Sequence, residues 1–383
     1  MTTIYWIRHG EAEGNLYRRC HGHYNSKITL NGQRQLSALR DRFANVQIDA
    51  VYSSDLCRAW TTADALARPR GQVVTVHPGL REVNLGEWED LTWGEICHRA
   101  PKQYAKFLET PWEVKPRGGE TLKMARIRAY VALRDIAARH DGQTVAIVSH
   151  GLVTRGLMSY VQKLSPQRLL AHGDNTCVTL LGYADGEFRL RYYADNSHLG
   201  ELSTQARNGN VLKNGEMRFR PVSLRRELHL FERFRRDAWH CIYGNLENYD
   251  PEVFVQEARW LSSVDRNTVL FATRGDMPVG LLEVERESPL VYGAAHISFI
   301  YLSPEYRGRG LACQLLGQAV SYCRAKGRAE LTLRVFGGNE RGIKFYSRHG
   351  FQTFGEENAL GGDLLRMSAD ITVPPIRPAY PWR

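Results

Sequence analysis

The sequence predicts an α/β protein built from two different domains. The chain has 383 residues, which is enough for two domains of ordinary size. Residues 1–200 alternate strand-like and amphipathic helical segments, and this βαβ order is typical of a layered α/β domain. Beyond residue 216 the order changes to one strand, two helices and then mostly strands, which indicates an α+β domain. No internal repeat relates the two halves, so we expect unrelated modules.

In the first half, strands and helices follow from the period of the apolar residues. The predicted strands are Thr3–Ile7, Ala50–Ser53, Val73–His77, Thr144–Ser149 and Cys177–Tyr183. The predicted helices are Gly32–Phe43, Arg58–Ala67 and Leu122–Arg139. The segment 82–119 is rich in Trp, charged residues and helix formers, so we interpret it as an insertion that covers one end of the sheet.

A linker is predicted at residues 206–216, where the apolar periodicity fades and Asn, Gly and Lys predominate. The first domain then spans 1–205, the second 217–372, and a proline-rich tail 373–383. The strands predicted for the second domain are Arg218–Val222, Thr268–Thr273, Val279–Glu285, Ala294–Leu302, Glu330–Phe336 and a final pair. Its predicted helices are Leu224–Ile242, Pro251–Ser262, Leu311–Lys326 and Glu340–Gly350.

Composition excludes several classes of protein. A hydrophobic fraction of 43% and a charged fraction of 24% are typical of soluble globular proteins. No apolar run reaches the length of a membrane span, and the N-terminus lacks the regions of a signal peptide. The seven cysteines form no CxxC pair, so we expect reduced thiols in the cytoplasm. The net charge of +10 is spread over both halves, and small anionic ligands explain it as well as nucleic acid does.

Two histidines follow predicted strands of the first half. One strand ends in Arg8-His9-Gly10-Glu11, and another ends in Ser149-His150-Gly151. Because the ends of parallel strands meet at one edge of a sheet, we expect His9, His150 and the neighbouring Arg8 and Arg58 to converge. Neutral imidazole is a good nucleophile toward phosphorus, and arginine forks bind phosphoryl oxygens. This pattern predicts phosphoryl transfer without a metal.

The order of these segments resembles the histidine phosphatase superfamily, also called phosphoglycerate-mutase-like. The matching stretches are Arg8-His9-Gly10-Glu11, Asn15, Ser53–Ala59, Leu80–Trp88, Gly118-Gly119-Glu120 and Ser149-His150-Gly151. The resemblance implies a three-layer αβα domain in which His9 becomes the phosphohistidine. It implies that Arg8, Arg58 and His150 complete the phosphate pocket, that Glu82 donates the proton and that Asn15 is an accessory contact.

Several alternatives stay open in this half. The neighbouring carboxylates Glu87, Glu89 and Asp90 compete with Glu82, which is preferred as the proton donor. His21 and His23 are interpreted as part of a surface loop, in preference to contact with the rest of a substrate and, last, to metal binding. A phosphatase is favoured over a mutase, because only one modest insertion surrounds the site. Four cationic residues are candidates for binding a second anionic group of the substrate: Arg18, Arg19, Lys115 and Arg117.

In the second half, a basic glycine turn joins a strand to a helix at Arg307-Gly308-Arg309-Gly310. The backbone N–H groups of such a turn and of the helix N-terminus bind anions such as a pyrophosphate. Downstream, Asn339 and Phe345-Tyr346 precede Gly350-Phe351. Residues 216–370 thus resemble the GNAT N-acetyltransferase family, whose cosubstrate is acetyl-CoA.

The resemblance to GNAT enzymes implies a set of roles. Tyr346 would protonate the departing thiolate, and Ile300 and Leu302 would pair with the pantetheine arm. The remaining cofactor-binding residues would be Arg307, Gly308, Arg309, Gly310, Leu311, Ala312 and Asn339. The general base is left open among His296, Ser298, Glu283 and Glu285, because the glutamate that many members carry on this strand is absent.

Together these patterns predict a cytoplasmic bifunctional enzyme, a phosphomonoesterase fused to an N-acetyltransferase. Its substrate is expected to be a small metabolite that bears a phosphate and an amine. No membrane or nucleic-acid partner is expected. Two alternatives are a phosphatase with a degenerate acetyl-CoA-binding module, and a protein-modifying acetyltransferase with a phosphatase domain.

Overall fold

Two sheets of different connectivity organise the chain. The computed structural model describes residues 1–165, 168–205, 216–359, 362–373 and 375–376. These residues divide into two compact units, the first formed by 1–91 and 96–205, the second by 92–95 and 216–373. Of the predicted linker 206–216 only Glu216 is among the described residues, and most of the predicted tail 373–383 lies outside them. The predicted domain boundaries therefore stay a prediction.

The first sheet has six strands. They are β1 (Thr2–Arg8), β2 (Ala50–Ser53), β3 (Val74–Val76), β4 (Thr144–Ser149), β5 (Val178–Ala184) and β6 (Glu187–Asp195). Their order is β3-β2-β4-β1-β5-β6; the first four are parallel, and β5 and β6 are antiparallel additions at one edge. The parallel strands are nearly continuous runs of buried residues, as expected for strands with both faces covered.

Helices lie between these strands in the chain, and some of them cover the two faces of the sheet. In chain order they are α1 (Glu13–Tyr17), α2 (Leu30–Arg42), α3 (Cys57–Ala67), α4 (Trp93–Arg99), α5 (Pro101–Glu109), α6 (Leu122–Arg139) and α7 (Gly151–Val161). On one face, Leu39 of α2 and Leu66 of α3 pack with Ile7 of β1. On the other face, the indole N–H of Trp6 donates to the Thr154 hydroxyl of α7 at 2.7 Å. Successive side chains of β1 therefore point to opposite faces of the sheet and contact different helices.

The parallel register brings three strand ends level with one another. Arg8 lies opposite Ser149, and Ser53 lies opposite Val148. The residues that follow β1, β2 and β4 therefore leave the sheet at the same edge. This edge is where ligand sites of open α/β sheets form.

The second unit contains a seven-stranded sheet. In chain order its elements are β7 (Arg218–Pro221), α8 (Leu224–Tyr243), α9 (Pro251–Val264), β8 (Val269–Arg274), β9 (Met277–Glu285), β10 (Ala295–Leu302), α10 (Ala312–Ala325), β11 (Glu330–Phe336), α11 (Glu340–Arg348), β12 (Gln352–Ala359) and β13 (Gly362–Asp370). The strand order is β12-β13-β11-β10-β9-β8-β7, and within it only β10 and β11 run parallel.

The core of the second unit forms between the sheet and the helix pair α8–α9. Phe231 and Phe234 of α8 pack with Val255 of α9 and with Phe271 and Leu281 of the sheet. Next to this core, β10 and β11 pair only from Ala295 to Ile297 and from Leu331 to Leu333. Both strands continue further, so they separate toward their carboxyl ends.

The predicted elements recur within a few residues, but the short helices α1, α4 and α5, the strand β6 and the helix α7 were not predicted. No residue of β6 is buried, and an exposed edge strand carries a weak apolar pattern. The helix α7 starts two residues after the end of β4. Its apolar residues therefore continue the apolar run of that strand, and no separate helical period stands out. Among the helices of the described chain, none is both long and apolar enough to cross a bilayer.

Candidate active sites

His9 lies at the end of β1 with its ring buried. Its Nδ1 is 2.7 Å from the Gly10 carbonyl, and because a carbonyl only accepts, Nδ1 carries the proton. The lone pair of Nε2 is therefore available for attack. Burial, Arg58 and Arg8 hold the pKa of His9 well below its usual value, so the ring is neutral at pH 7. A Cβ on Gly10 would lie 2.4 Å from Cδ1 of Leu36, so any larger residue here would have to displace that methyl group.

Arg8 and Arg58 are held by neutral backbone carbonyls. Nη1 of Arg8 donates to Gly173 O at 2.6 Å, and Arg58 donates to Gly22 O at 2.7 Å and to Tyr24 O at 2.9 Å. Over the described residues, neither guanidinium bonds directly to a carboxylate, so both keep their charge for a ligand. Burial lowers the pKa of Arg58 to about 10, which leaves it charged at pH 7.

Three buried nitrogens around His9 have no hydrogen-bond partner in the described structure. They are Nε of Arg8, Nε of Arg58 and Nδ1 of His150. The His150 ring is fully buried, and its centroid is 5.1 Å from that of His9. Its Nε2 contacts the Ser54 hydroxyl at 2.7 Å. The two arginine Nε–H groups are donors, and buried donors without partners are costly, so this set indicates a place for an anion.

The Glu82 carboxylate is bound by backbone N–H groups at the start of α7. Oε2 accepts from Leu152 at 2.9 Å, and Oε1 accepts from Val153 at 2.8 Å and from Val83 at 2.9 Å. The Glu82 carbonyl in turn accepts from His23 Nε2 at 2.8 Å. Because Oε1 already accepts two hydrogen bonds and Oε2 only one, Oε2 is the oxygen that can carry a proton.

The competing carboxylates serve other purposes. Glu89 Oε1 accepts from the backbone N–H groups of His23 at 2.7 Å and Leu85 at 3.0 Å, which orders this loop. Asp90 pairs with Arg19 at 3.0 Å. Glu87 is half exposed and lies 3.7 Å from Arg117. These contacts favour Glu82 as the acid, and they also engage two of the four cations that we considered for a second anion.

Asn15 and His21 both lie against the His9 segment. The side-chain oxygen of Asn15 accepts from Ala12 N at 3.0 Å and from Asn175 Nδ2 at 3.2 Å, which leaves its own NH₂ group for a ligand. Asn175 also donates to the His9 carbonyl at 3.0 Å, and no motif had identified it. The His21 ring is 6.1 Å from that of His9, and its Nε2 accepts from Gly14 N. The loop that carries His21 is partly exposed, as predicted, and it brings this ring close to His9.

In the second unit, the basic turn lies beside the gap between β10 and β11. Gly308 and Gly310 have φ values of +73° and +67°, a conformation that glycine adopts without strain. Arg307 turns back, and its Nε donates to Leu302 O at 2.6 Å. The Leu302 carbonyl, which the resemblance assigns to the pantetheine arm, is thus occupied by an arginine of the same turn. Ile300 has no β11 partner in the described ladder.

The fit to acetyl-CoA rests on three observations of this unit. The backbone of β10 faces the gap beyond Ile297, two positive-φ glycines allow a close approach, and the Ser298 hydroxyl is buried with no partner in the described residues. Arg309, Leu311 and Ala312 lead from this turn into α10. These features suit a phosphate-bearing thioester with an extended amide arm, so acetyl-CoA fits.

Tyr346 lies on the last helix, α11, and Asn339 is the residue that precedes it. Tyr346 is buried edge-on between Phe345 and Phe351, and burial raises the pKa of its hydroxyl. A raised pKa keeps Tyr346 protonated, as a proton donor must be. The Asn339 side chain accepts from Gly342 N at 2.9 Å and caps α11. Its contact to the cosubstrate stays a prediction.

The base candidates differ in their surroundings. Glu283 is fully buried and bonded to Arg235, whose guanidinium lies 3.9 Å from the centre of the Phe299 ring. Burial lowers the pKa of His296 to about 4, and its Nδ1 contacts Thr332 Oγ1 at 2.8 Å. Glu285 is partly exposed, and burial raises its pKa. Of these three, Glu285 is the carboxylate that solvent reaches.

Comparisons with known proteins agree with both halves of this description. Residues 4–196 match the histidine phosphatase superfamily (branch 1), and residues 231–351 match the acetyltransferase (GNAT) family. The predicted fusion and its fold classes are thereby confirmed. Phosphoglycerate mutase-like protein 4 of Arabidopsis thaliana is 33% identical over 199 residues, which cover 51% of this chain and 86% of that protein.

Two further relatives match the first half. The metal-independent phosphoserine phosphatase of Arabidopsis thaliana is 32% identical over 207 residues, which cover 53% of this chain and 85% of that protein. The structure of Bacillus stearothermophilus YhfR is 33% identical with a TM-score of 0.50, and it covers 52% of this chain and 99% of its own. The first half therefore corresponds to nearly the whole of these proteins.

Proposed function

Since the chain belongs to the histidine phosphatase superfamily and carries a GNAT acetyltransferase segment, we propose that it is a bifunctional enzyme. One activity is hydrolysis of phosphomonoesters through a phosphohistidine. The other is transfer of an acetyl group from acetyl-CoA to an amine. The substrate class is a small metabolite that bears both a phosphate and an amine.

One observation carries the phosphatase assignment, namely the three unpaired buried nitrogens beside the His9 ring. A phosphoryl group in this place accepts from Arg8, Arg58 and His150 while its phosphorus faces Nε2 of His9. Fixed donors of this kind stabilise the charge that develops on the phosphoryl oxygens during transfer. The two arginines supply positive charge at this point.

In the first step, Nε2 of His9 bonds to phosphorus as the bond to the alkoxide oxygen breaks. The alkoxide takes the proton held on Oε2 of Glu82. In the second step, a water molecule gives a proton to Glu82 and attacks phosphorus, which releases inorganic phosphate and the neutral His9 ring. Nδ1 of His9 donates to the Gly10 carbonyl throughout, which stabilises the charge on the ring while it is phosphorylated.

The substrate class is supported by a relative and by the fusion itself. The relative described as a metal-independent phosphoserine phosphatase acts, by its name, on a molecule with both a phosphate and an amine. A substrate of that kind offers one group to each half of this chain. Another relative is described as phosphoglycerate mutase-like, and the mutase alternative predicts phosphate transfer to a second hydroxyl group instead of release.

The phosphatase proposal is tested by trapping the intermediate. Enzyme mixed with ³²P-labelled phosphoserine or another phosphorylated amine is quenched in alkali, and the labelled peptide is sequenced. We expect acid-labile label on the peptide that contains His9 and no label in His9→Ala. His98→Ala is the matched control, because His98 is exposed in the same unit. Hydrolysis that persists in His9→Ala would refute the assignment.

The acetyltransferase half is supported by the gap between β10 and β11 and by the glycine turn beside it. Acetyl-CoA supplies an activated acetyl thioester at this place. N–H groups of the turn from Gly308 to Ala312 bind its pyrophosphate, and Ile300 pairs with the amide arm. The Tyr346 hydroxyl donates the proton that the thiolate leaving group requires. Glu285, acting through water, is the best-placed group to accept the proton of the amine.

One contact favours the alternative of a degenerate acetyl-CoA-binding module. The Arg307 side chain bonds to the Leu302 carbonyl and has to leave it before a pantetheine amide takes that position. Phosphate release and acetyl transfer are therefore followed together on a panel of phosphorylated amines. Acetyl-CoA binding without transfer to any amine supports the degenerate module, and transfer to proteins alone supports the protein-modifying alternative.

A further inference from the structure

Ser54 and His150 form a buried pair whose proton arrangement affects anion binding. Ser54 Oγ lies 2.7 Å from His150 Nε2, and both residues are fully buried. The other ring nitrogen, Nδ1, is buried without a partner in the described structure. Whichever nitrogen carries the proton decides whether His150 presents a donor or a lone pair at Nδ1.

His150 has only one ring proton at neutral pH. Burial and the nearby Arg58 hold its pKa well below the usual value of histidine, so the ring is uncharged. A neutral imidazole has one N–H and one lone pair, and the hydrogen bond at one nitrogen sets the state of the other.

Accounting for the hydrogen bonds of Ser54 separates the two arrangements. Ser54 Oγ already accepts from the backbone N–H of Leu56 at 3.3 Å. If Nε2 of His150 carried the proton, Oγ would accept twice, and no other acceptor contacts the Ser54 hydroxyl within the described chain. If Nδ1 carries the proton, the hydroxyl donates to Nε2 and only Nδ1–H lacks a partner. The other arrangement leaves both the Ser54 hydroxyl hydrogen and the Nδ1 lone pair without one.

We propose that Ser54 is a positioning residue of the phosphatase site: its hydroxyl donates to Nε2 of His150 and keeps the ring proton on Nδ1. The Nδ1–H then donates to a phosphoryl oxygen, beside the Nε–H groups of Arg8 and Arg58. The opposite tautomer places a lone pair against a negatively charged oxygen, which is repulsive. This inference rests on the proposed phosphatase function.

The tautomer is measured directly in the ligand-free protein. Long-range ¹H–¹⁵N spectra of histidine-labelled protein at pH 7.5 distinguish a protonated from an unprotonated ring nitrogen, and the signals missing in His150→Gln assign His150. We expect Nδ1 protonated in the wild type and a mixture of tautomers in Ser54→Ala. Ser54→Thr retains a hydroxyl and should restore the Nδ1 proton.

The matched control is Ser53→Ala, which removes a neighbouring buried hydroxyl that donates to the Ser54 carbonyl at 2.8 Å. This variant should keep the wild-type tautomer. A wild-type spectrum with the proton on Nε2 overturns the inference, and so does a Ser54→Ala spectrum with Nδ1 fully protonated. If Ser54→Ala does not fold, the wild-type spectrum still decides.

A binding measurement supplies the functional readout. Inhibition of p-nitrophenyl phosphate hydrolysis by inorganic phosphate should weaken about tenfold in Ser54→Ala, the usual cost of one hydrogen bond to a charged group. Unchanged inhibition contradicts the inference. The two proposals fail separately: a wild type that hydrolyses no phosphomonoester refutes the proposed function, whereas the spectrum tests Ser54 without any activity.

Discussion

Glu82 caps the helix that begins immediately after His150. Its carboxylate accepts hydrogen bonds from Leu152 and Val153, the second and third residues of α7, while His150 is the residue before that helix. One carboxylate thus holds the helix that positions the histidine, and it belongs to the residue that we propose as the proton donor.

Glu82→Gln should lower kcat for phosphomonoester hydrolysis by about 100- to 10,000-fold, the usual contribution of a general acid and base. KM should change little, because the phosphate is held by other residues. The amide NH₂ would face backbone N–H groups, so we also expect a loss of about 1 kcal/mol in the free energy of unfolding. The control Glu87→Gln changes a half-exposed neighbour. Equal losses of kcat in both variants contradict the assignment of Glu82.

Acidification should destabilise the first unit through its buried histidines. Burial, followed by Arg58, holds the pKa values of His9, His21 and His150 well below 6.5. Between 6.5 and those lower values, the unfolded chain binds more protons than the folded chain. The free energy of unfolding should therefore fall as pH drops below 6.5, by up to about 1.4 kcal/mol per pH unit for each histidine.

Hydrogen exchange of the β1 and β4 amides, measured from pH 7 to pH 5, gives this slope for the first unit. His21→Gln removes one of the titrating rings. The free energy of unfolding of this variant should therefore change less steeply with pH, by the contribution of up to one bound proton. A pH-independent free energy of unfolding over this range would exclude the buried neutral histidines.

Arg235→Met should destabilise the second unit by about 3–5 kcal/mol, because it leaves the fully buried Glu283 without its cation. The arginine also contacts the Phe299 ring, so its packing contributes. Arg259→Met is the matched control on α9, where Arg259 pairs with Glu252 in an exposed position, and it should cost less than about 1 kcal/mol. Urea unfolding followed through amides of β9 tests both variants, and equal losses contradict the prediction.

Tyr346→Phe should slow acetyl transfer about 100-fold and leave phosphate release unchanged, because only the hydroxyl proton is removed. Transfer is measured as free thiol formed from acetyl-CoA in the presence of the amine that the substrate panel identifies. Tyr292→Phe is the control, since Tyr292 is fully exposed in the same unit. A Tyr346→Phe enzyme with wild-type kcat means that another group protonates the thiolate.

Metal chelators should leave phosphomonoester hydrolysis unchanged, because Arg8 and Arg58 provide the positive charge at the phosphate. The assay measures phosphate release before and after dialysis against EDTA. Inhibition that added Mg²⁺ or Zn²⁺ reverses would contradict this prediction.

Much of the fold followed from the sequence because apolar periodicity is a local signal. Segments such as β4 and α6 contain enough regularly placed apolar residues to be recognised as a strand and a helix from the sequence alone. The edge strand β6 escaped because none of its residues is buried. The approach of His21 to His9 was not predicted, because no nearby residue in the sequence shows that this loop returns to β1.

Residue type and order in the sequence were enough to predict two modules and to name His9, Arg8, Arg58, His150 and Tyr346 as candidates, since these are properties of short segments. Tertiary structure decided which carboxylate binds the start of α7, which ring nitrogens have hydrogen-bond partners and that Arg307 occupies the Leu302 carbonyl. The physical reason is that burial and hydrogen bonding set protonation and charge, and both depend on contacts between segments far apart in the chain.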